Sequence, residues 1–146
     1  MILFLDACTI IYLIEAEAEF HATAVGRLRD LRAQFPCSQL AASRLSLLEC
    51  LVKPTRDGET ALIREYRGFF AARDLLLVEL TAAVVESAIA LRVCHGLRTP
   101  DALQAASALT LPTDGHRFLT NDRRFERVAG LRSIQVERPG PNRAPT

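Results

Sequence analysis

Asp6, Glu49, Asp101 and Asp122 are carboxylates placed where the chain leaves an apolar run or lies on a helix. Asp6 follows Met1-Ile2-Leu3-Phe4-Leu5 and precedes Ile10-Ile11-Tyr12-Leu13-Ile14, so it interrupts a hydrophobic stretch. A charge there costs on the order of several kcal/mol unless it is paired, metal-bound or held at a solvent-facing edge. Asp122 follows Phe118-Leu119-Thr120, a second short strand-like run. In an open parallel sheet, ligands bind in the crevice beyond the carboxyl ends of the strands, where both aspartates would project. Carboxylates gathered without histidine or lysine among them call for a cation. Hard divalent ions such as Mg²⁺ and Mn²⁺ favour oxygen ligands, and Mg²⁺ accepts substrate phosphates as further ligands. Such a site suits phosphodiester hydrolysis, because the ion activates a water, neutralises the phosphate and stabilises the leaving oxygen.

Each acid also has a structural explanation when taken singly. Asp101 would complement a helix N-terminus, worth about 0.3 to 1 kcal/mol. Ser46-Leu47-Leu48-Glu49 fits a capping box, but the apolar periodicity begins at Leu45, which puts Glu49 inside its helix. Asp122 would serve as a turn residue or a short-helix cap. Taken together the four point to a metal site: Asp6 and Asp122 should share one sheet edge, and Glu49 and Asp101 sit on helices that can pack beside it.

The elements that must position these groups are legible from periodicity. Ile2 to Leu5 reads as a strand, and a helix is expected from near Thr9 through Glu15. A second helix covers about His21 to Phe35, and Cys37 to Ala42 makes the next strand. Ser43 caps a helix that stops before Pro54. Asp57-Gly58 opens a longer helix to about Arg73, with Leu62, Tyr66, Phe69 and Phe70 as an apolar stripe suited to core packing. Leu75 to Leu80 is a strand, Thr81 caps a helix that Gly96 closes, and Thr99-Pro100-Asp101 opens another. His116 to Thr120 is a strand, Arg123 to Val128 a short helix, and Ser133 to Glu137 an edge strand. Strands alternating with helices imply parallel pairing through right-handed crossovers, hence a three-layer α/β/α sandwich with a mainly parallel sheet. Residues 1–137 are expected to form one domain, and the Pro-, Gly- and Arg-rich residues 138–146 a disordered tail.

With 146 residues, 49% of them hydrophobic and 24% charged, the chain suits a single core. No apolar run reaches the ~18 residues of a membrane span, and Asp6 splits what would be the core of a secretory signal, so a cytoplasmic protein is expected. Cys8, Cys37, Cys50 and Cys94 are isolated from one another and from His21, His95 and His116, which argues against zinc. Net charge is only +1, so any nucleic-acid contact must be local. Of the 18 basic residues only Lys53 is a lysine, and arginine forks match phosphate oxygens in pairs. Arg123, Arg124 and Arg127 follow the last acid, and Arg44 begins the helix of Glu49. Arg44, Arg123 and Arg124 are the candidate phosphate contacts. The two tyrosines read as lying away from the site.

The segments Phe4-Leu5-Asp6-Ala7-Cys8-Thr9-Ile10-Ile11-Tyr12-Leu13-Ile14-Glu15, Ser43 to Glu49, Thr99-Pro100-Asp101-Ala102-Leu103-Gln104-Ala105-Ala106 and Leu119-Thr120-Asn121-Asp122-Arg123-Arg124-Phe125 together resemble the PIN-domain nucleases. Within that family they look like the VapC-type toxins of bacterial toxin–antitoxin pairs. The resemblance covers nearly the whole chain, with the motifs in the family's order. It implies a Mg²⁺- or Mn²⁺-dependent endoribonuclease in which Asp6, Glu49, Asp101 and Asp122 hold the metal and Thr120 supplies a helper hydroxyl, with Thr9 and Asn121 less secure. It also implies a homodimer and a small antitoxin that docks in a hydrophobic groove and blocks the acidic site. Two alternatives stand beside it. A phosphoaspartyl enzyme would want a second acid where Cys8 stands. A non-catalytic PIN-like RNA- or protein-binding module would need the same fold but no cleavage.

Overall fold

The computed structural model describes residues 1–137, so the expected tail at 138–146 lies outside the described residues. Within these residues five strands form one parallel sheet: β1 (Ile2–Leu5), β2 (Gln39–Ser43), β3 (Leu76–Val78), β4 (His116–Thr120) and β5 (Ser133–Gln135). Their spatial order is β3-β2-β1-β4-β5. Among the described residues six α-helices flank the sheet: α1 (Ala7–Ile14), α2 (His21–Gln34), α3 (Arg44–Asp57), α4 (Thr60–Phe70), α5 (Ala82–His95) and α6 (Thr99–Ala108). The three-layer α/β/α sandwich expected from the alternation of elements is the architecture observed.

Side-chain alternation along the strands divides the core in two. Phe4, Ala41 and Phe118 face α5 and α6, whereas Leu3, Leu5, Ala42 and Leu119 face the layer of α1 to α4. On the first side Phe4 stacks on Phe118 with ring centroids 5.4 Å apart, and Phe118 meets Phe125 at 4.9 Å. That chain of rings anchors the segment just after Asp122. On the same side Ala102, Ala105, Ala106 and Ala108 of α6 are buried, and their small side chains let the helix lie close to its neighbours. On the second side Tyr66 and Phe70 of α4 are buried and Leu62 and Phe69 pack against them, so the α4 stripe is core.

Several boundaries differ from those expected. α1 starts at Ala7, because the carboxylate of Asp6 takes the capping role expected at Thr9. α3 does not stop before Pro54 but carries it in its last turn and ends at Asp57. Proline removes one helical donor, and a helix about to end tolerates that loss better than a mid-helix site. Gly58 closes α3 at φ 69°, so it ends one helix rather than opening the next, and α4 runs only from Thr60 to Phe70. β2 begins at Gln39 and β3 shrinks to Leu76–Val78.

Truncation of the central ring stack gives a direct check on this core. Phe118→Ala should cost about 3 to 5 kcal/mol, the range for an aromatic removed from a packed interior. Urea unfolding should show a lower midpoint with an unchanged slope; a loss under about 1 kcal/mol would mean the stack is not central.

Candidate active site

β2 and β3 run off one side of β1, while β4 and β5 run off the other. The carboxyl ends of β1 and β4 therefore form the point where the winding reverses, and a crevice opens at such a point. Here it is a cleft of about 450 Å³ lined by all four acids, Asp6, Glu49, Asp101 and Asp122. They come from four elements: the end of β1, the middle of α3, the first turn of α6 and the segment after β4.

Asp6 is 5% exposed and lies at the cleft's floor. Its carboxylate caps α1 by accepting from the Thr9 backbone N–H at 2.9 Å and also accepts from the Thr120 hydroxyl at 2.5 Å and the Cys8 thiol at 3.1 Å. Burial raises the proton affinity of Asp6, and these donors only partly offset it. The Thr9 hydroxyl donates to the Leu119 carbonyl at 2.9 Å, and the Asp6 N–H donates to the same oxygen at 3.2 Å. α1 is thereby tied to β4 at the residue that carries the charge. Thr120 is fully buried beneath the cleft, and its oxygen also accepts the Asp122 N–H at 3.1 Å. It thus links the first acid to the last.

Asp122 caps the short 3-10 turn of residues 123–127 by accepting from the Arg124 N–H at 2.9 Å. The Arg124 guanidinium folds back on the same carboxylate and holds Asp122 below its ordinary proton affinity. It also reaches Asp101 at 3.2 Å, which Arg98 approaches at 3.5 Å from the turn before. With Arg124 42% and Asp101 21% exposed, each pair is worth at most ~1 kcal/mol. Their effect is on charge balance more than on stability.

Glu49 stands at the exposed edge of α3, with its carboxyl group against the cleft wall. Partial burial of that group raises its proton affinity, the Gln104 amide opposes the shift, and the charges of Asp101 and Asp6 add to it. Gln104 is 3% exposed; its Nε2 donates to the Ser46 hydroxyl at 2.8 Å and, at the longer distance of 3.5 Å, to Glu49. Three residues on, the Ser107 hydroxyl approaches that of Ser43 at 3.1 Å. These contacts form a polar seam between α6 and the β2–α3 corner, and so between the helices that carry Asp101 and Glu49.

The candidate phosphate contacts separate. Arg123 is exposed and lines the cleft, and Arg124 lines it while occupied by Asp122 and Asp101. Arg44 does not join them: its guanidinium pairs with Glu79, and it lines a different groove with Leu47, Leu48, Leu51 and Val52. Sequence reasoning missed Cys8, Tyr12, Arg98 and Gln104, all of which line the cleft. Helical spacing carried the signal. Cys8 and Tyr12 are i, i+4 on α1, and Arg98, Asp101 and Gln104 follow one another at i, i+3. The tyrosine expected elsewhere is in the cleft wall.

The donor set, carboxylate oxygens from four elements lining one cleft, is the chemistry that suits a hard divalent ion. As the side chains stand, among the described residues no three of His, Cys, Asp or Glu form a metal-holding group. Arg124 instead supplies the positive charge between Asp101 and Asp122.

A family model of the PIN domain matches residues 3–131. The chain belongs to the PIN domain family. This PIN domain is similar in structure to VapBC2 from Rickettsia felis, described as bound to a DNA fragment from its promoter. The TM-score is 0.70 at 18% identity, over 92% of this chain and 98% of that one. A toxin–antitoxin complex from Klebsiella pneumoniae matches with a TM-score of 0.67 at 19% identity, covering 92% and 97%. VapC20 from Mycobacterium tuberculosis, described as a sarcin-ricin loop cleaving toxin, gives 0.59 at 21% identity, covering 73% and 80%. At these identities the likeness establishes a shared fold. No curated protein sequence matches the chain.

The burial of Asp6 sets a pH signature. Its folded-state affinity for the proton is raised above the ordinary value of 3.8, so its effect favours folding below that value and is lost as pH rises through the folded pKa. In chelator, Asp6→Asn should therefore be more stable than the wild type at pH 7, by about 1 to 2 kcal/mol, because asparagine still caps the helix without a buried charge. The two curves should converge toward pH 4. Thermal melts across pH check this, and a variant less stable than the wild type at pH 7 would contradict it.

Proposed function

We propose that this PIN domain is a metal-dependent endoribonuclease, acting in the cytoplasm as the toxin of a toxin–antitoxin pair. The observation that carries the reading is the meeting of four carboxylates from four separate elements in one cleft at the β1/β4 switch point. Support comes also from structural neighbours described as VapBC2, as a toxin–antitoxin complex and as a sarcin-ricin loop cleaving toxin. Asp6, Glu49, Asp101 and Asp122 would hold Mg²⁺ or Mn²⁺. When bound, the ion lowers the pKa of a water and offsets charge on the phosphate.

The rest of the chemistry falls to the chain's own side chains. Thr120 and the Thr9 N–H fix the orientation of Asp6. Arg123, at the rim, meets a backbone phosphate. Gln104, whose amide approaches the Glu49 carboxylate at 3.5 Å, helps to orient that acid toward the cleft. Hydrolysis forms a bond from water oxygen to phosphorus and breaks the bond from phosphorus to a ribose oxygen, which leaves with a proton.

One observation favours the second reading, a non-catalytic RNA- or protein-binding PIN module: Arg124 already neutralises Asp101 and Asp122. Incubation of purified protein with cellular RNA in Mg²⁺, in Mn²⁺ and in chelator separates the two. The nuclease gives discrete, metal-dependent fragments that Asp6→Asn and Asp122→Asn lose by at least about 100-fold, and expression of the wild type alone arrests bacterial growth. RNA retention without cleavage in any metal would leave the binding module.

The antitoxin docks in the groove beside α3, where Leu47, Leu48, Leu51 and Val52 are flanked by Arg44, Arg56 and Arg67. An apolar segment with acidic flanks complements that surface. A second copy covers the exposed stripe Val85, Ile89 and Val93 on α5, giving a homodimer. Leu48→Asp should weaken neutralisation by the small protein encoded alongside by about 10-fold or more while leaving RNA cleavage intact; unchanged neutralisation would place the antitoxin elsewhere.

A further inference from the structure

Tyr12 is an aromatic ring in the wall of an acidic, phosphate-directed cleft, and none of the assigned chemistry uses it. The other ring in that wall, Phe125, is 2% exposed and committed to the stack with Phe118. Tyr12 is only partly buried: it packs against the core on the α1 side and borders the cleft near Cys8, whose thiol touches Asp6. Its mounting is rigid. The Tyr12 carbonyl lies 2.7 Å from His21 Nδ1, which ties the end of α1 to the start of α2. Phe20 meets the ring at 5.3 Å and 66°, an edge contact, and among the described residues no ring lies parallel on it. The Asn121 amide approaches the hydroxyl at 3.5 Å from the segment that carries Asp122.

A single-stranded RNA whose phosphate sits among the acids must place a neighbouring base within a nucleotide's reach of the wall. Proteins that hold unpaired bases do so chiefly by stacking them on aromatic side chains. We propose that Tyr12 is the platform on which a nucleobase flanking the reactive phosphate stacks. This rests on the nuclease reading above and adds to it the part of the substrate that the cleft grips without charge. The platform reads a base's flat face, so it requires an unpaired nucleotide and tolerates any base.

The chain contains no tryptophan and two tyrosines, Tyr12 and Tyr66. Tyr66 is fully buried, and its hydroxyl donates to Glu15 at 2.5 Å. Quenching of intrinsic fluorescence by RNA therefore reports on Tyr12. The test titrates full-length protein, in chelator to prevent cleavage, with a short single-stranded RNA and with an abasic ribose-phosphate oligomer of equal length. RNA should quench the emission and the abasic oligomer should not. Tyr12→Ala should weaken RNA binding by about 5- to 150-fold, the loss of one base stack, and Tyr12→Phe should keep it. The salt slope should stay at the wild-type value in Tyr12→Ala but fall by about one unit in Arg123→Ala, since only the arginine meets a phosphate.

Equal affinity of Tyr12→Ala and wild type for RNA, or an equal loss on the abasic oligomer, overturns the platform. So does a Tyr12→Ala variant that binds RNA normally but escapes neutralisation, which would make the ring a protein contact. If Tyr12→Ala fails to fold, Tyr12→Phe decides: after correction for RNA absorbance it should bind RNA with the quenching abolished, and quenching that persists in it overturns the platform. A wild type that cleaves RNA without base-dependent quenching refutes the platform and spares the nuclease, whereas one that neither binds nor cleaves RNA refutes both.

Discussion

A carboxylate with almost no solvent contact sits at the junction of two central strands, and the local structure is arranged to tolerate it. Asp6 has a hydroxyl, a backbone N–H and a thiol pointed at it, from β4, from α1 and from its own turn. Two of these residues also fix something else. Thr9 joins α1 to β4, and Thr120 passes the constraint on to Asp122. The price of keeping the charge is thus turned into the geometry of the cleft, because satisfying Asp6 determines where α1 begins and how the chain leaves β4.

The acids around the cleft do not share one electrostatic environment. Asp6 and Glu49 have raised proton affinities, through burial and, for Glu49, through neighbouring negative charge, while Asp122 is lowered by Arg124. Carboxylates whose environments push them apart are the usual basis for dividing roles within one site. Arg124 bridges Asp122 and Asp101, whereas among the described residues no cation pairs with Asp6 or Glu49.

Much of this was legible in the sequence. Asp6 and Asp122 could be placed at strand ends because apolar runs precede them, and Ser43, Thr81 and Gly96 occupy the capping positions their residue types indicate. What failed did so for identifiable reasons. The end of α3 was misjudged because a proline near a helix C-terminus loses little, and Gly58 is read as readily as an opening as a close. Arg44 is near Glu49 in sequence but points to Glu79 on the β3 side, since positions five apart on a helix face different ways. Tyr12 carries no charge to mark it, and only its place one helical turn after Cys8 puts it in the cleft wall.

The seam between α6 and the β2–α3 corner bears on how such a molecule can vary. Gln104, Ser46, Ser107 and Ser43 join the two helices by directional contacts among small side chains. Hydrophobic packing accepts many combinations of side chains of similar total volume, whereas a hydroxyl or amide contact fixes a distance and an angle. The spacing of Asp101 from Glu49 is therefore insulated from much of what happens in the surrounding core. A change in the greasy interior that conserves its volume is thus free to occur while the gap between the two carboxylates stays put.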